Sequence, residues 1–231
     1  MKKIIPFLAV VILIFAAFSL VGAQSKMYVT LGRYEQDNNV SNGPEEIEWL
    51  VLATNMTSTN NNDKWALLVS KYAIDARPYN DTRTDVTWET CSLRKWLNGD
   101  FYNNAFSQSE KEQIGKFTIS NTDNPEYNTP GGNKTSDKVF LLSFDEVIKY
   151  FPEGSSRGCE ATAYTKAKGI DKGIAIDKKT GMVTWATRTP GSKSWGIVNV
   201  DYDHLESFYL NGGAVNGIDG IRPALYIKWN H

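Results

Sequence analysis

The sequence predicts a single α+β domain, with two or three short helices in its first half and antiparallel hairpins in its second half. Two observations predict this class. Helical periodicity and helix-capping patterns occur between Thr90 and Phe151, whereas short β-branched runs separated by turns dominate from Gly173 onward. We find no internal repeat and no linker that would divide the chain after its N-terminal leader.

The first 23 residues have the organisation of a secretory signal peptide. Two lysines precede the apolar run Ile4–Leu20, and the small or aliphatic residues Val21-Gly22-Ala23 precede Gln24. This pattern predicts cleavage after Ala23, which leaves residues 24–231 as one secreted or periplasmic domain. An uncleaved membrane anchor is the alternative, but no basic stop-transfer cluster follows the apolar run. We expect no membrane contact after cleavage.

Composition excludes several functional classes. The chain has 25 Lys and Arg residues against 26 Asp and Glu residues, so no basic excess is available for nucleic-acid binding. Its two histidines, His204 and His231, are too few for a multi-histidine metal site. The Gly-x-Ser-x-Gly, Gly-x-Gly-x-x-Gly and phosphate-loop motifs are absent from the sequence. These observations favour binding over catalysis, and we expect no cofactor.

Three apolar runs near the N-terminus predict strands. Met27–Arg33 and Ile47–Ala53 are rich in β-branched and aromatic residues, and Asn42-Gly43-Pro44 marks a turn between them. Trp65–Ser70 is a short apolar run of the type found in buried strands.

Helices are predicted from apolar spacing and from capping boxes. Leu93, Trp96 and Leu97 stand at i, i+3 and i+4, which places them on one face that we expect to point inward. Ser107–Glu110 and Ser143–Glu146 both match the capping-box pattern at a helix start. After the predicted strand Val139–Leu142, the second helix is expected to turn three apolar residues inward, namely Val147, Ile148 and Phe151.

Residues typical of turns predict a polar loop and, after it, a series of short strands. Ser120–Asp137 is rich in Pro and Gly, and a polar loop of that length in a compact domain is often functional. The later strands are predicted at Ile174–Asp177, Val183–Thr187, Gly196–Val200, Ala214–Ile218 and Ile221–Ile227.

Four segments in order carry a family resemblance. They are WETCSLRKWLNGDFYNNAF from Trp88, DKVFLLSFDEVIKYF from Asp137, CEATAYTKAKG from Cys159, and WATRTPG from Trp185 with GIRPALYI from Gly220. This series resembles a widespread bacterial family of domains of unknown function, family 6273. The resemblance implies a C-type-lectin-like fold, a class that includes the sulfatase-modifying proteins. In such folds a strand with an aromatic-Arg-Gly pattern pairs with a closing strand that has a Gly-hydrophobic-Arg pattern. Family members often carry a second Trp where this chain has Ala186.

The arginines and cysteines within these motifs allow predictions about their bonding. Arg94, Arg188 and Arg222 lie among apolar residues, so each requires acceptors, and we expect them to tie loops to the sheet. A ligand role is the alternative for Arg188. Cys91 and Cys159 are expected to be buried free thiols or to form one disulfide. They are far apart in sequence, unlike the close copper-binding pair of sulfatase-modifying oxidases.

The tryptophans divide by context. Trp49, Trp65 and Trp96 stand in apolar periodic segments and are predicted to be in the core. Trp88 and Trp185, like Trp195 further along the chain, border polar or Gly-rich segments and are predicted to be partly exposed.

The region of the late hairpins combines flat rings with hydrogen-bonding groups, as a site for a polar ligand requires. The predicted ligand-binding residues are Trp185, Arg188, Trp195, Asn199, Asp201, Tyr202 and His204. The spacing of Asp201 and Asp203 matches no calcium-binding loop. We expect an exported binding domain for a glycan or another cell-surface ligand. The alternatives are an enzyme related to the formylglycine-generating, sulfatase-modifying oxidases and a purely structural surface domain.

Overall fold

The computed structural model describes residues 26–57, 63–170, 172–206 and 208–229. The predicted signal peptide, residues 1–23, lies outside the described residues. Within the described ranges, none of the helices has the length and apolar character needed to cross a membrane.

The fold is α+β, with mostly antiparallel sheets and a few short helices. In chain order the strands are β1 Tyr28–Tyr34, β2 Glu45–Thr57, β3 Lys64–Ser70, β4 Asp75–Pro78, β5 Phe117–Ile119, β6 Thr135–Asp137, β7 Val139–Phe140, β8 Trp185–Pro190, β9 Gly196–Val200, β10 Gly213–Ala214, β11 Ile218–Ile221 and β12 Ala224–Lys228. The helices are α1 Ser92–Trp96, α2 Tyr102–Ala105, α3 Gln108–Lys111, α4 Phe144–Tyr150 and α5 Ala163–Ile170. A π-helical turn, Leu97–Phe101, joins α1 to α2, and a 3-10 turn, Gly154–Arg157, follows α4.

The first sheet has five strands in the order β1-β2-β3-β12-β7, and all neighbours are antiparallel. Its first three strands confirm the predictions made from the N-terminal apolar runs. Strand β3 lies between β2 and β12, and all of its residues after Lys64 are buried, which agrees with the continuous apolar run in its sequence.

The second sheet also has five strands, in the order β10-β9-β8-β11-β4. Its pairs are antiparallel except β8 and β11, which run parallel with Trp185 opposite Gly220. A separate hairpin of β5 and β6 closes the polar loop. Hairpin pairing in the second half is therefore confirmed for β8–β9 and β9–β10, but β11 returns to pair with the early strand β4.

The predicted strand Ile221–Ile227 is wrong as a single element. The chain leaves the second sheet after Ile221, passes through Arg222-Pro223, and enters the first sheet as β12. Proline cannot donate to a strand ladder, which explains why the strand breaks at this point. The strand predicted at Ala214–Ile218 is likewise interrupted, because Gly217 donates its backbone N–H to the Ala214 carbonyl in a turn.

Both predicted capping boxes are confirmed. The Ser107 hydroxyl accepts from the Glu110 N–H at 3.4 Å, and the Glu110 carboxylate accepts from the Ser107 N–H at 2.7 Å. The same reciprocal pair joins Ser143 and Glu146 at the start of α4. Helix α5 was not predicted from the sequence.

The helices bury most of the predicted inward face. Leu93, Leu97 and Val147 are buried, but Trp96 is only half-buried and Ile148 is exposed. Adjacent helical residues differ by about 100° in direction, so Ile148 points away when Val147 faces inward. The Arg77 guanidinium covers the Trp96 ring at the margin of the core, with its carbon 4.0 Å from the centroid of that ring.

The polar loop after β5 is anchored by one asparagine. Asn124 is fully buried, and its Nδ2 donates to the carbonyls of Pro190 at 2.8 Å and Leu210 at 2.7 Å. Its Oδ1 accepts from the N–H groups of Glu126 and Tyr127 at 3.0 Å. The loop is thereby held against the end of β8.

Candidate functional site

Strand β8 places the first two predicted ligand residues in the interior. All six of its residues are buried, and β9 and β11 flank it in the sheet. Trp185 is fully buried, and its indole N–H donates to the Arg157 carbonyl at 3.1 Å. Trp88 is also fully buried and donates to the Asp137 carboxylate at 2.9 Å. The predicted partial exposure of these two rings is wrong, because distant acceptors satisfy both indoles inside the fold.

Arg188 ties α4 and the polar loop to β8. Its Nη2 donates to the Glu146 Oε1 and to the Ser120 carbonyl, both at 3.0 Å, and its Nη1 donates to the Glu146 Oε2 at 2.5 Å. Because Arg188 is 3% exposed and its charge is balanced by Glu146, its structural role as a loop-to-sheet tie is confirmed. Arg94 has the same role, since its Nε donates to the buried Asp137 carboxylate at 2.7 Å.

Trp195 lies in a different environment, at the surface between β8 and β9. The residue is 37% exposed, and the Arg83 guanidinium carbon lies 4.0 Å from its ring centroid. An adjoining groove of about 450 Å³ is lined by the indole together with Asp85, Thr129, Pro130, Ser192, Lys193 and Ser194. We call Arg83, Trp195 and these six residues the Trp195 platform.

Backbone hydrogen bonds hold the platform in place. The Val86 N–H donates to the Ser194 carbonyl at 3.0 Å, and the Val215 N–H donates to the Trp195 carbonyl at 2.9 Å. The anchored polar loop supplies Thr129 and Pro130 to the wall of the groove. Sequence analysis missed Arg83 and Asp85, which come from a segment far from Trp195 in the chain.

A buried carboxylate lies beside two of the other predicted residues. Asn199 Nδ2 donates to Asp219 Oδ1 at 2.9 Å, and the Thr184 hydroxyl donates to Asp201 Oδ1 at 3.0 Å. Burial, followed by repulsion from the Asp201 carboxylate, raises the pKa of Asp219 from 3.8 to about 7. The hydrogen bond from Asn199 acts in the opposite direction. Asp219 is therefore a buried proton acceptor that titrates near neutrality, which the sequence did not indicate.

Tyr202 and His204 form no part of the Trp195 platform. Tyr202 is half-buried, while His204 is exposed and packs edge-on against Tyr209 with 4.9 Å between the ring centroids. In the described part of the chain, no hydrogen bond or ring contact joins Trp195 to the other six predicted residues. The predicted site thus divides into separate environments, and only Trp195 presents an exposed flat ring beside a groove.

The two cysteines are buried free thiols, which is one of the two states expected from the sequence. Cys91 caps α1 by accepting the Arg94 N–H at 3.4 Å, and burial raises the pKa of its thiol to about 12. The Cys159 thiol donates to the Lys71 carbonyl at 3.8 Å, and burial raises its pKa as well. Their contacts lie on different elements, and a raised pKa disfavours the thiolate that metal binding requires.

The described residues contain one group of three carboxylates that could hold a metal ion, formed by Glu35, Asp37 and Glu45 with their oxygens within 4.8 Å of one another. Hydrogen bonds within the turn already engage these oxygens. The Glu45 carboxylate accepts from the N–H groups of Gln36 and Asp37, at 2.7 and 3.2 Å. The group therefore orders the turn between β1 and β2.

The fold and the platform together define a small α+β domain with a polar surface groove beside an aromatic ring. The sequence pattern of the domain of unknown function DUF6273 matches residues 62–229, which is most of the chain. The chain belongs to this family. Comparison with curated proteins and with solved structures gives no significant match.

Proposed function

We propose that the chain is an exported, C-type-lectin-like binding domain that recognises a glycan or another cell-surface ligand through the Trp195 platform. The observation that carries the proposal is the exposed indole of Trp195 beside a groove with carboxylate and hydroxyl groups. The leader-like sequence supports export. The pairing of Trp185 with Gly220 supports the lectin-like part, because the resemblance assigns those positions to paired strands.

The platform suits a sugar ring chemically. A pyranose presents apolar C–H groups on its faces, which pack against an indole, while its hydroxyls point outward to the rim. Asp85 can accept from two vicinal hydroxyls, and Ser192 and Ser194 can donate or accept. Arg83 covers one face of the indole, so the exposed part of Trp195 lies on the remainder of the ring. The stacked guanidinium also restricts the ring to one orientation, which reduces the entropy lost on binding.

A glycan array probed with purified residues 24–231 tests the proposal, followed by titration of the best glycan by calorimetry. Trp195→Ala is expected to weaken binding roughly tenfold or more. Its unfolding midpoint should change little, because the ring is part-exposed and lies outside the main core.

Tyr209→Ala is the matched control, since Tyr209 is an exposed ring, 53% accessible, in the separate patch beside His204. Unchanged affinity is expected for this variant. Loss of binding in Tyr209→Ala with full binding in Trp195→Ala would move the site to that patch. An array with no reproducible glycan signal would contradict glycan recognition.

A further inference from the structure

Three arginines are buried in the described part of the chain, and their hydrogen bonding differs. Arg157 donates to three carbonyls at 2.7 to 2.9 Å, and Arg188 donates to two carbonyls and the Glu146 carboxylate. Arg222 donates only through Nε, to the Ser70 carbonyl at 2.9 Å. The fold therefore supplies acceptors to two buried guanidinium groups and leaves the third largely without them.

The charge of Arg222 has no counterion within the described ranges. The residue is 3% exposed, no carboxylate lies within ion-pair distance, and its Nη1 has no hydrogen-bond partner. Arg188 also has one unpaired nitrogen, Nε, but Glu146 balances its charge. Rings flank the Arg222 guanidinium, with Trp185 at 5.1 Å and Phe151 at 5.0 Å. These rings stabilise the cation but accept no conventional hydrogen bond.

Arg222 lines a pocket of about 170 Å³, to which the first-sheet residues Tyr28 and Leu50 also contribute. Lys71 also lines it, with its ammonium 4.9 Å from the Tyr72 ring centroid and 5.4 Å from that of Tyr28. A hydrogen bond to Glu48 at 2.7 Å is the main cause that raises the pKa of Lys71, so the ammonium remains charged. The charged residues of the lining are three basic ones, Lys26, Lys71 and Arg222, and one acidic one, Glu160.

We propose that this pocket binds a carboxylate ligand, with the Arg222 guanidinium at its inner end and the Lys71 ammonium at its side. A planar carboxylate matches the geometry of a guanidinium edge and would supply the acceptors that the fold leaves out. Leu50, Met182 and the two tyrosine rings provide apolar surface for a small body attached to that carboxylate. This site is separate from the Trp195 platform and does not depend on it, since the two linings share no residue.

The proposal is tested by NMR titration of residues 24–231 with acetate, and in parallel with propionate, sodium sulfate and sodium chloride. Acetate and propionate should produce saturable shifts at the Arg222 Nε–H and the Trp185 indole N–H, with dissociation constants on the order of millimolar. Propionate should bind more tightly than acetate, because its extra methylene contacts the apolar walls. Chloride controls for ionic strength and should give no saturable shift.

Two variants locate the site. Arg222→Gln should abolish the response, and Lys71→Gln, at a position that is only half-buried, should weaken acetate binding about tenfold and fold normally. Arg33→Gln is the matched control, since it removes one positive charge from an exposed ion pair elsewhere and should leave binding unchanged. If Arg222→Gln does not fold, the Lys71→Gln and Arg33→Gln titrations still decide the question.

Several results would overturn the proposal. One is the absence of any saturable shift with acetate, which would mean that Arg222 only braces the rings of Trp185 and Phe151. Another is equal affinity in Lys71→Gln and the wild type. Saturable binding of sulfate without binding of either carboxylate would assign the pocket to a tetrahedral oxyanion instead, and the carboxylate assignment would fail.

Discussion

Replacing Asp219 by Asn should remove most of the pH dependence of folding stability that the raised pKa of Asp219 predicts below neutrality. Because the pKa of Asp219 is raised in the folded state, the folded chain binds a proton more tightly than the unfolded chain. The stability associated with this proton is fully present below the ordinary pKa of 3.8 and is lost as the pH rises through about 7. Native stability should therefore fall across this window through the contribution of Asp219.

The magnitude follows from the two pKa values. Each tenfold change in proton affinity corresponds to about 1.4 kcal/mol, so a rise from 3.8 to about 7 corresponds to about 4 kcal/mol at most. Asn has nearly the shape of a protonated Asp, and its Oδ1 can still accept from Asn199. Asp219→Asn should thus match the native stability near pH 4 and exceed it by up to about 4 kcal/mol near pH 8.

Urea unfolding of residues 24–231 at several pH values measures this difference. Asp203→Asn is the control, since the Asp203 side chain is 58% exposed and its removal should leave the native pH profile intact. The reasoning fails if Asp219→Asn and the native chain have parallel stability profiles between about pH 4 and pH 8, because the Asp219 carboxylate would then titrate as an exposed group.

Two further predictions concern the core and the leader. Asp137 is buried and accepts from three side chains, including Arg94 at 2.7 Å, so Asp137→Ala should cost about 3–5 kcal/mol in urea unfolding by leaving a partly buried guanidinium without its carboxylate. A cost below about 1 kcal/mol would contradict this role. Intact-mass analysis of exported protein should give a chain that begins at Gln24, and a membrane-bound product that retains residues 1–23 would contradict cleavage.

Local signals in the sequence predicted local structure well. A capping box depends on residues three positions apart, so Ser107 and Ser143 indicate their helix starts without knowledge of the rest of the fold. The first three strands are likewise marked by continuous apolar runs bounded by turns.

Burial of single rings depended on contacts that the sequence does not display. Trp185 has threonines close by and was predicted to be partly exposed. Thr184 and Thr187 are themselves buried, however, and both donate hydrogen bonds, Thr187 to the Val198 carbonyl at 2.6 Å. Polar residues next to Trp185 in the sequence therefore did not indicate that its ring lies at the surface.

The candidate site was predicted only in part for a related reason. Trp195 was identified from its Gly-rich context, but Arg83 and Asp85 reach it from a loop that is remote in the chain. Arg222 was predicted to need acceptors, and within the described residues its Nε finds one in the Ser70 carbonyl while its Nη1 finds none. Neither the approach of Arg83 and Asp85 to Trp195 nor the shortage of acceptors around Arg222 depends on a fixed spacing in the sequence, so no sequence pattern could have revealed them.

The position of β12 in the first sheet governs when this chain can finish folding. β12 lies between β3 and β7, and its register pairs Ala224 with Val69, so the sheet joins residues from opposite parts of the sequence. Until Ala224–Lys228 arrives, the apolar strand β3 has an open edge that can pair with other chains. Contacts of such long range slow folding, so a chain threaded through a membrane N-terminus first would stay unfolded until most of it had emerged. Slow closure of the sheet also exposes the open edge of β3 for longer, so the unfinished chain depends on protection from aggregation.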